Sequence, residues 1–420
     1  MAVRPIEGTF KFEAQPQSAK GSVLFGEHLK LTDKSHIAEF AGYLMPLWYS
    51  SISAEHTSVR QRAGVFDCTH MGILEVIGKE AESFLDAITT NKVNSLQIGS
   101  AQYSYILDAA GNVLDDIIIY KRGAEKFMVV VNATNEPKIK AYLAAISRGE
   151  ASTDGRQIEF AAVRDIRDIN SPGAPGDCRV DIALQGPASA EVLSKLTPSA
   201  GQQVAALKSF TFFEANLAGF DCLVSRTGYT GAKEGFELFV HPENAAKLWQ
   251  RLLDAGATPC GLGARDSLRI EAGLPLYGHE LDGPHNITPF EAGYGWAVKL
   301  DKEFFIGKSA VENLSKSYDM KVARMELPGE KGVRPARQND AVLKDGVCIG
   351  WILSSAAADN RQIALVYAEK KKIVEGDSLS VYYLARNESQ KSKGRKENAR
   401  RGDSLGADIA GIVLSRFEKF

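Results

Sequence analysis

A pair of carboxylates interrupts an otherwise apolar run in the sequence Val113-Leu114-Asp115-Asp116-Ile117-Ile118-Ile119-Tyr120. The run follows the turn residues Ala109-Ala110-Gly111-Asn112, and a second run rich in valine follows at 127–131. Short stretches of β-branched and aromatic residues, separated by Gly and Asn turns, are typical of an antiparallel meander. We therefore predict that residues 100–135 form the clearest β region of the chain.

Strand alternation separates the two carboxylates. Successive side chains of a strand point to opposite faces, so Asp116 lies with Ile118 and Tyr120, whereas Asp115 lies on the other face. The two aspartates are therefore poorly placed to share a metal ion, and we predict no metal site. The neighbouring hairpin strand brings Tyr103 to the same region, and a carboxylate among aromatic rings suits a planar, nitrogen-rich ligand. A solvated turn aspartate is the alternative for either residue alone.

Composition limits the kinds of partner. The chain has 420 residues, 44% of them hydrophobic, and a formal net charge of -2. This length suggests two or three domains, and the near-neutral charge gives no reason to expect nucleic acid or a membrane as a partner. The five cysteines are scattered without a C-x-x-C pair, which favours a reducing, cytoplasmic location. No run approaches the roughly 20 apolar residues of a membrane helix, and residues 1–22 have the composition of a loose leader without a secretory signal.

Periodicity predicts the remaining elements. Helical patterns occupy residues 54–63, 136–147, 188–196 and 245–253, and a helix is expected to start near residue 261. A loop or excursion is predicted over 148–180. Short strands at 322–327, 347–353, 362–366 and 379–384 indicate a C-terminal β-barrel or sandwich. The basic stretch 386–401 contains no aromatic residues, which favours a solvated loop over a nucleic-acid surface.

Two glycine-containing segments could bind a ligand. The loop Gly228-Tyr229-Thr230-Gly231 lacks the Lys-Ser/Thr ending of a P-loop and leads into a strand, which argues against phosphate. In that strand Glu237 interrupts an apolar run, and it is either a buried, partnered carboxylate or an edge-strand glutamate. The segment 261–266 opens a helix with an incomplete dinucleotide fingerprint, although its N-terminus with Arg265 could bind a carboxylate.

Cysteine and histidine residues give weaker signals. Cys68 and His70 lie two residues apart, but nucleophile and base normally come from distant segments, so structural packing is the favoured interpretation. His279 and His285 are six residues apart near Glu280, and this spacing matches no standard metal site. We expect both histidines to be exposed to solvent.

Short motifs then occur in a characteristic order along the chain. They are found at residues 40–49, 65–72, 101–104, 111–120, 131–133, 184–187, 225–231, 261–266, 276–280, 289–296 and 305–308. Taken together, they resemble the folate-dependent aminomethyltransferase family, the T-protein of the glycine cleavage system. The resemblance covers roughly residues 23–385.

The resemblance implies an α+β fold with three domains in a cloverleaf around a central folate channel. A first domain would comprise residues 23–60 plus 150–260, and a second would comprise 61–149 plus 261–318. Residues 319–420 would form a small C-terminal β-barrel domain with a basic insertion at 386–405. The implied activity is transfer of a methylene unit from the aminomethyl-lipoyl group of an H-protein type carrier to tetrahydrofolate, with release of ammonia.

The resemblance also assigns residues to the site. The second aspartate of the pair, Asp116, matches the catalytic aspartate of the family. The implied folate contacts are Tyr103, Ile118, Tyr120, Asn132, Tyr229, Glu237 and Arg265.

The chain departs from the family pattern in several places. The segment 231–237 is one residue longer, residues 354–360 lack the usual Gly and Pro, and no tyrosine follows Tyr383. These departures concern the donor more than the folate. One alternative is therefore a tetrahydrofolate-dependent demethylase of small methylated S-, N- or O-compounds, and another is a non-catalytic folate-binding protein. A dinucleotide-binding oxidoreductase would rest on the glycines of 261–266 alone.

Overall fold

The computed structural model describes residues 8–15, 18–170, 176–197, 200–358 and 360–418. These residues belong to two compact units. The first unit comprises 1–228, 232–265 and 296–313, and the second comprises 229–231, 266–295 and 314–420. The division into three domains with the boundaries given above stays a prediction.

The five helical segments predicted from periodicity are helices in the structure, and the described residues form five further helices that were not predicted. Their bounds are α1 Phe25–Leu31, α2 Ile52–Gln61, α3 Ala81–Ile88, α4 Glu136–Ser147, α5 Ser189–Leu196, α6 Gly201–Ala206, α7 Pro242–Asp254, α8 Leu262–Ala272, α9 Lys308–Ser317 and α10 Glu388–Ser392. Helix α7 illustrates how the sequence produces a helix. Proline occupies its first turn, and its apolar residues at helical spacing form a buried stripe of Ala245, Leu248, Trp249 and Leu252.

The strands of the described residues fall into four sheets. Their bounds are β1 Lys20–Gly21, β2 Ile37–Phe40, β3 Tyr43–Pro46, β4 Gly64–Asp67, β5 Gly72–Ile77, β6 Ala101–Leu107, β7 Val113–Gly123, β8 Lys126–Val131, β9 Ala162–Asp165, β10 Val180–Gln185, β11 Phe212–Leu217, β12 Phe220–Ser225, β13 Gly235–Val240, β14 Thr258–Cys260, β15 Met320–Pro328, β16 Ala341–Lys344, β17 Val347–Ala358, β18 Arg361–Glu369, β19 Ser378–Tyr382 and β20 Ile409–Leu414.

The first unit is built on two larger sheets. A five-stranded sheet has the order β6-β7-β8-β5-β9, and a six-stranded sheet has the order β11-β12-β13-β10-β4-β14. The predicted meander over 100–135 is confirmed, because β6, β7 and β8 pair antiparallel in sequence order. Strand β9 lies within the predicted excursion 148–180, of which residues 171–175 lie outside the described residues. The excursion therefore contributes an edge strand.

The two faces of the five-stranded sheet have different neighbours. Ile117 and Ile119 belong to a core that includes Phe84 of α3 and Ile139 of α4. The opposite face, which carries Tyr120, shares a second core with Leu223 and Phe239 of the six-stranded sheet. The face that carries Asp116 is therefore the one turned toward the six-stranded sheet.

Part of the predicted leader is packed rather than loose. Residues 1–7, 16 and 17 lie outside the described residues. The amide of Phe10 donates to Oδ2 of Asp108 at 3.1 Å, and its ring packs edge-on against Tyr142 with a centroid distance of 4.8 Å. Strand β1 pairs with β3. The described part of the leader thus belongs to the first unit.

The second unit contains a closed six-stranded barrel, which decides between the two predicted C-terminal architectures. The strand order is β15-β18-β17-β16-β19-β20, and every pairing is antiparallel. Strands β16 and β20 were not expected from the sequence. An α+β chain with a C-terminal β-barrel is therefore confirmed.

The basic segment 386–405, which precedes β20, forms several ion pairs. Arg395 bonds to Asp408, Lys396 lies 3.1 Å from Asp403, and Arg401 lies 2.9 Å from Asp319. These contacts hold the segment against its own unit. Among the helices that the structure describes, none has the length and apolar character that crossing a bilayer requires.

Candidate active site

Asp116 lies half-buried on β7 with a hydrogen-bond donor at each carboxylate oxygen. The hydroxyl group of Tyr103 donates to Oδ2 at 2.9 Å, and the side-chain amide of Asn132 donates to Oδ1 at 2.9 Å. Tyr103 pairs with Ile118 across the β6–β7 hairpin, so it stands diagonally to Asp116 on one face. The structure thus brings four of the predicted site residues together, since Ile118 follows Asp116 on that face and is also half-buried.

Burial raises the pKa of the Asp116 carboxyl above its ordinary value, against the opposing effect of the hydrogen bonds from Tyr103 and Asn132. A carboxyl with a raised pKa exchanges protons closer to neutral pH, which suits general acid–base catalysis. The two donors at the same time fix the direction in which the carboxylate points.

Aromatic rings flank this carboxylate. The ring of Tyr103 packs edge-on against Tyr105 at 5.2 Å and lies 5.8 Å from the ring of Trp296, tilted by 35°. Trp296 is 53% exposed although it is a large aromatic residue. Trp296 was not predicted as a site residue, although it belongs to the motif 289–296, because exposure cannot be seen from a motif. Together, Tyr103 and Trp296 offer planar apolar surface to a ligand.

A second carboxylate, Glu237 of the six-stranded sheet, contacts Tyr120, which follows Asp116 on the same strand. The hydroxyl of Tyr120 donates to Oε2 of Glu237 at 3.1 Å, and the hydroxyl of Thr227 bonds to the same oxygen. Strand β13 lies between β12 and β10. The edge-strand interpretation of Glu237 is therefore wrong. Its carboxylate has the expected hydrogen-bond partners but is half-buried rather than buried. Thr227 was not predicted, although it belongs to the motif 225–231.

Arg265 lies in the first turns of α8, where Nη1 donates to Sγ of Cys68 at 3.4 Å. Burial raises the pKa of the Cys68 thiol, and burial lowers the pKa of His70 to about 4. A protonated thiol beside a neutral imidazole is not an activated nucleophile. The structural interpretation of Cys68 and His70 is therefore supported.

The glycines of 261–266 serve close packing. A Cβ atom on Gly261 would lie 2.5 Å from the carbonyl carbon of Leu47, and one on Gly263 would lie 2.6 Å from the side chain of Ile52. The amide of Gly261 donates to Oε2 of Glu55 at 2.8 Å, and that of Gly263 donates to the carbonyl of Leu47 at 2.9 Å. These two amides already have acceptors within the protein, which argues against a dinucleotide phosphate at the glycines. Binding of a carboxylate by Arg265 stays a prediction.

The second unit holds the other predicted residues. Tyr229 is half-buried, and its hydroxyl donates to the carbonyl of Pro275 at 2.5 Å; its contact with folate stays a prediction. The expectation of exposed histidines is wrong, since His279 and His285 are half-buried. The ring of His285 stacks on Trp351 at 4.9 Å.

The chain is similar to known proteins over most of its length. The family model of the GCVT N-terminal domain matches residues 28–302. The aminomethyltransferase of Desulfitobacterium hafniense is 38% identical over 370 residues, which cover 86% of this chain and 93% of the relative. That of Thermus thermophilus is 39% identical over 353 residues, which cover 84% and 92%.

A solved structure matches over most of the chain. The crystal structure of the glycine cleavage system aminomethyltransferase T from Bartonella henselae superposes with a TM-score of 0.74 at 29% identity, covering 95% of this chain and 97% of that chain. Fold and relatives together define an enzyme of the transferase class. The chain belongs to the aminomethyltransferase family with the GCVT domain.

Proposed function

We propose that the protein transfers a methylene unit from the aminomethyl-lipoyl group of a carrier protein to tetrahydrofolate, with release of ammonia. The observation that carries this proposal is the half-buried Asp116 carboxylate, whose two oxygens are oriented by Tyr103 and Asn132. The proposed folate contacts are those named from the sequence: Tyr103, Ile118, Tyr120, Asn132, Tyr229, Glu237 and Arg265.

The side chains of the first unit suit a reduced pterin. Glu237, held by the hydroxyls of Tyr120 and Thr227, can accept hydrogen bonds from the N–H groups of a pterin ring. Tyr103 and Trp296 can pack against the flat parts of the ligand. Binding by aromatic faces with a few directed polar groups is the usual pattern of small-molecule sites.

The reaction gives Asp116 its role. The methylene carbon loses its bonds to the amine nitrogen and to sulfur, and it gains bonds to two folate nitrogens. The two folate N–H protons leave with the amine, as ammonia, and with the sulfur, as the thiol. Asp116 accepts a hydrogen bond from a reacting N–H and stabilises the positive charge that develops there. Positioned acid–base groups of this kind contribute about 10²–10⁴-fold.

The state of the cysteines indicates where in the cell the protein is found. All five cysteines are buried, and none of them forms a disulfide bond. Thiols that stay reduced are typical of a compartment such as the cytoplasm, which we propose for this protein.

An assay with two donor sets tests the function. The purified protein is incubated with tetrahydrofolate and either an aminomethylated lipoyl carrier or a panel of small methylated amines, sulfides and ethers. We expect methylene-tetrahydrofolate and ammonia in equal amounts when the aminomethylated carrier is the donor, and neither product with the small donors. Methyl-tetrahydrofolate formed only from the small donors would instead establish a demethylase. Folate binding without turnover on any donor would establish a binding protein.

A further inference from the structure

Asp115, the neighbour of Asp116, is fully buried and accepts three N–H donors. The backbone amide of Asn132 donates to Oδ2 at 3.0 Å. The side-chain amides of Asn132 and Asn135 donate to Oδ1 at 2.8 and 2.6 Å. All three donors are neutral amides. A buried carboxylate without a cationic partner carries a large desolvation penalty, so such a group is poorly explained by stability alone.

The two aspartates meet through one amide, although they point to opposite faces of β7. The nitrogen Nδ2 of Asn132 lies 2.8 Å from Oδ1 of Asp115, 2.9 Å from Oδ1 of Asp116 and 3.1 Å from the carbonyl oxygen of Asp116. Its neighbours are all acceptors, so a flipped amide would set its oxygen against two carboxyl groups. Asp115 thus supplies one of the three acceptors that keep the N–H groups of the Asn132 amide directed at the two aspartates.

We propose that Asp115 is a positioning residue, which fixes the Asn132 amide and through it the orientation of Asp116 toward the reacting nitrogens. The inference rests on the function proposed above. A purely structural role is the competing explanation, since Asp115 also ties β7 to the turn between β8 and α4 through Asn132 and Asn135. The two explanations differ in whether the effect of Asp115 on turnover depends on Asp116.

The chain supplies a matched control in Asp108, at the end of β6. This aspartate is also buried and also accepts three amide donors: the backbone and side chain of Asn112 at 3.0 and 2.9 Å, and the backbone of Phe10 at 3.1 Å. Its donors differ from those of Asp116. Asp108→Asn should therefore reproduce the loss of stability without the loss of turnover.

The test is a double-mutant cycle on the full chain, with kcat, the KM for tetrahydrofolate and the melting temperature measured for each variant. We expect Asp115→Asn to lower kcat at least about 10-fold with KM within about 3-fold, and Asp108→Asn to keep kcat near that of the wild type. In the Asp116→Asn background, adding Asp115→Asn should change the residual turnover by less than about 3-fold, because the two residues act as a unit.

Independent losses that multiply in the double variant would overturn the inference, as would an equal loss of kcat in Asp108→Asn. If Asp115→Asn does not fold, Asp115→Ala takes its place with the same expectations, because alanine removes the acceptor of the Asn132 amide without adding a donor. A wild-type protein that fails to turn over tetrahydrofolate with the carrier would overturn the proposed function instead. If the wild type is active and the losses of kcat multiply in the double variant, the proposed role of Asp115 is overturned and the proposed function stands.

Discussion

The hydroxyl group of Tyr103 donates a hydrogen bond of 2.9 Å to Oδ2 of Asp116. This bond favours the ionised carboxylate and so opposes the effect of burial, which raises the pKa of Asp116. Tyr103→Phe removes the donor and should raise that pKa further. If the ionised form is the active one, the acidic limb of the kcat–pH profile moves to higher pH. The profile can be measured with the carrier assay between pH 5 and 9, and an unmoved acidic limb would argue against ionised Asp116 as the active form.

Tyr120 should affect folate affinity rather than the reaction. Its hydroxyl holds Glu237 at 3.1 Å, and Tyr120→Phe removes this hydrogen bond to a charged group. Such bonds are worth roughly 1.5–3 kcal/mol, which would weaken folate binding about 10- to 100-fold if Glu237 loses its orientation. Calorimetric titration with tetrahydrofolate measures the effect.

Tyr142→Phe is the control for that measurement. Tyr142 is equally buried, but its hydroxyl donates to the carbonyl of Leu107 at 3.0 Å. This variant should lose some stability and keep its folate affinity. Equal affinities for the two variants would contradict a role for Tyr120 and Glu237 in binding the ligand.

Asp67 should make stability depend on acid pH. Burial opposes its ionisation, yet the hydrogen bonds and charge of His28, with Ser22, hold its pKa down at about 2. The unfolded pKa is about 3.9, so the contribution to stability is present above that pH and is lost as pH falls toward 2. Urea unfolding from pH 6 to pH 2.5 should show the advantage of the wild type over Asp67→Asn shrinking by about 2 kcal/mol. An advantage independent of pH would refute this account.

Substitution of Gly261 tests whether close packing at the start of α8 requires a glycine. A methyl group there would clash with the backbone of Leu47, so Gly261→Ala should destabilise the protein by about 1–3 kcal/mol. The control is Gly26→Ala, where a Cβ meets open space within a helix and should be neutral or slightly stabilising. Thermal unfolding of both variants provides the comparison. A Gly261→Ala protein of unchanged stability would show that packing does not require this glycine.

Local sequence signals predicted much of the fold. Helix α4 was predicted at its observed bounds because the spacing of Ile139, Tyr142, Leu143 and Ile146 repeats with the helical period. Strands β16 and β20 escaped prediction, because runs of four to six residues become strands only through their barrel partners. Alternation correctly put Asp115 and Asp116 on opposite faces.

The parts of the site that the sequence could not supply are contacts between distant segments. Asn132 joins the two aspartates from the turn after the next strand, and Thr227 reaches Glu237 across a loop. Trp296 lies beside Tyr103 although it is 193 residues away. Pairings of this kind depend on tertiary packing, which one sequence does not encode in any local pattern.

The most direct test of the central claim is the turnover of Asp116→Asn. Asparagine keeps the size of the side chain but cannot take up a proton or balance a developing positive charge at the folate nitrogens. With tetrahydrofolate and the aminomethylated lipoyl carrier, we predict that kcat falls about 10²- to 10⁴-fold. The dissociation constant for tetrahydrofolate should stay within about 3-fold of the wild-type value. A variant that binds folate and retains full turnover would contradict the assignment of Asp116 as the central carboxylate.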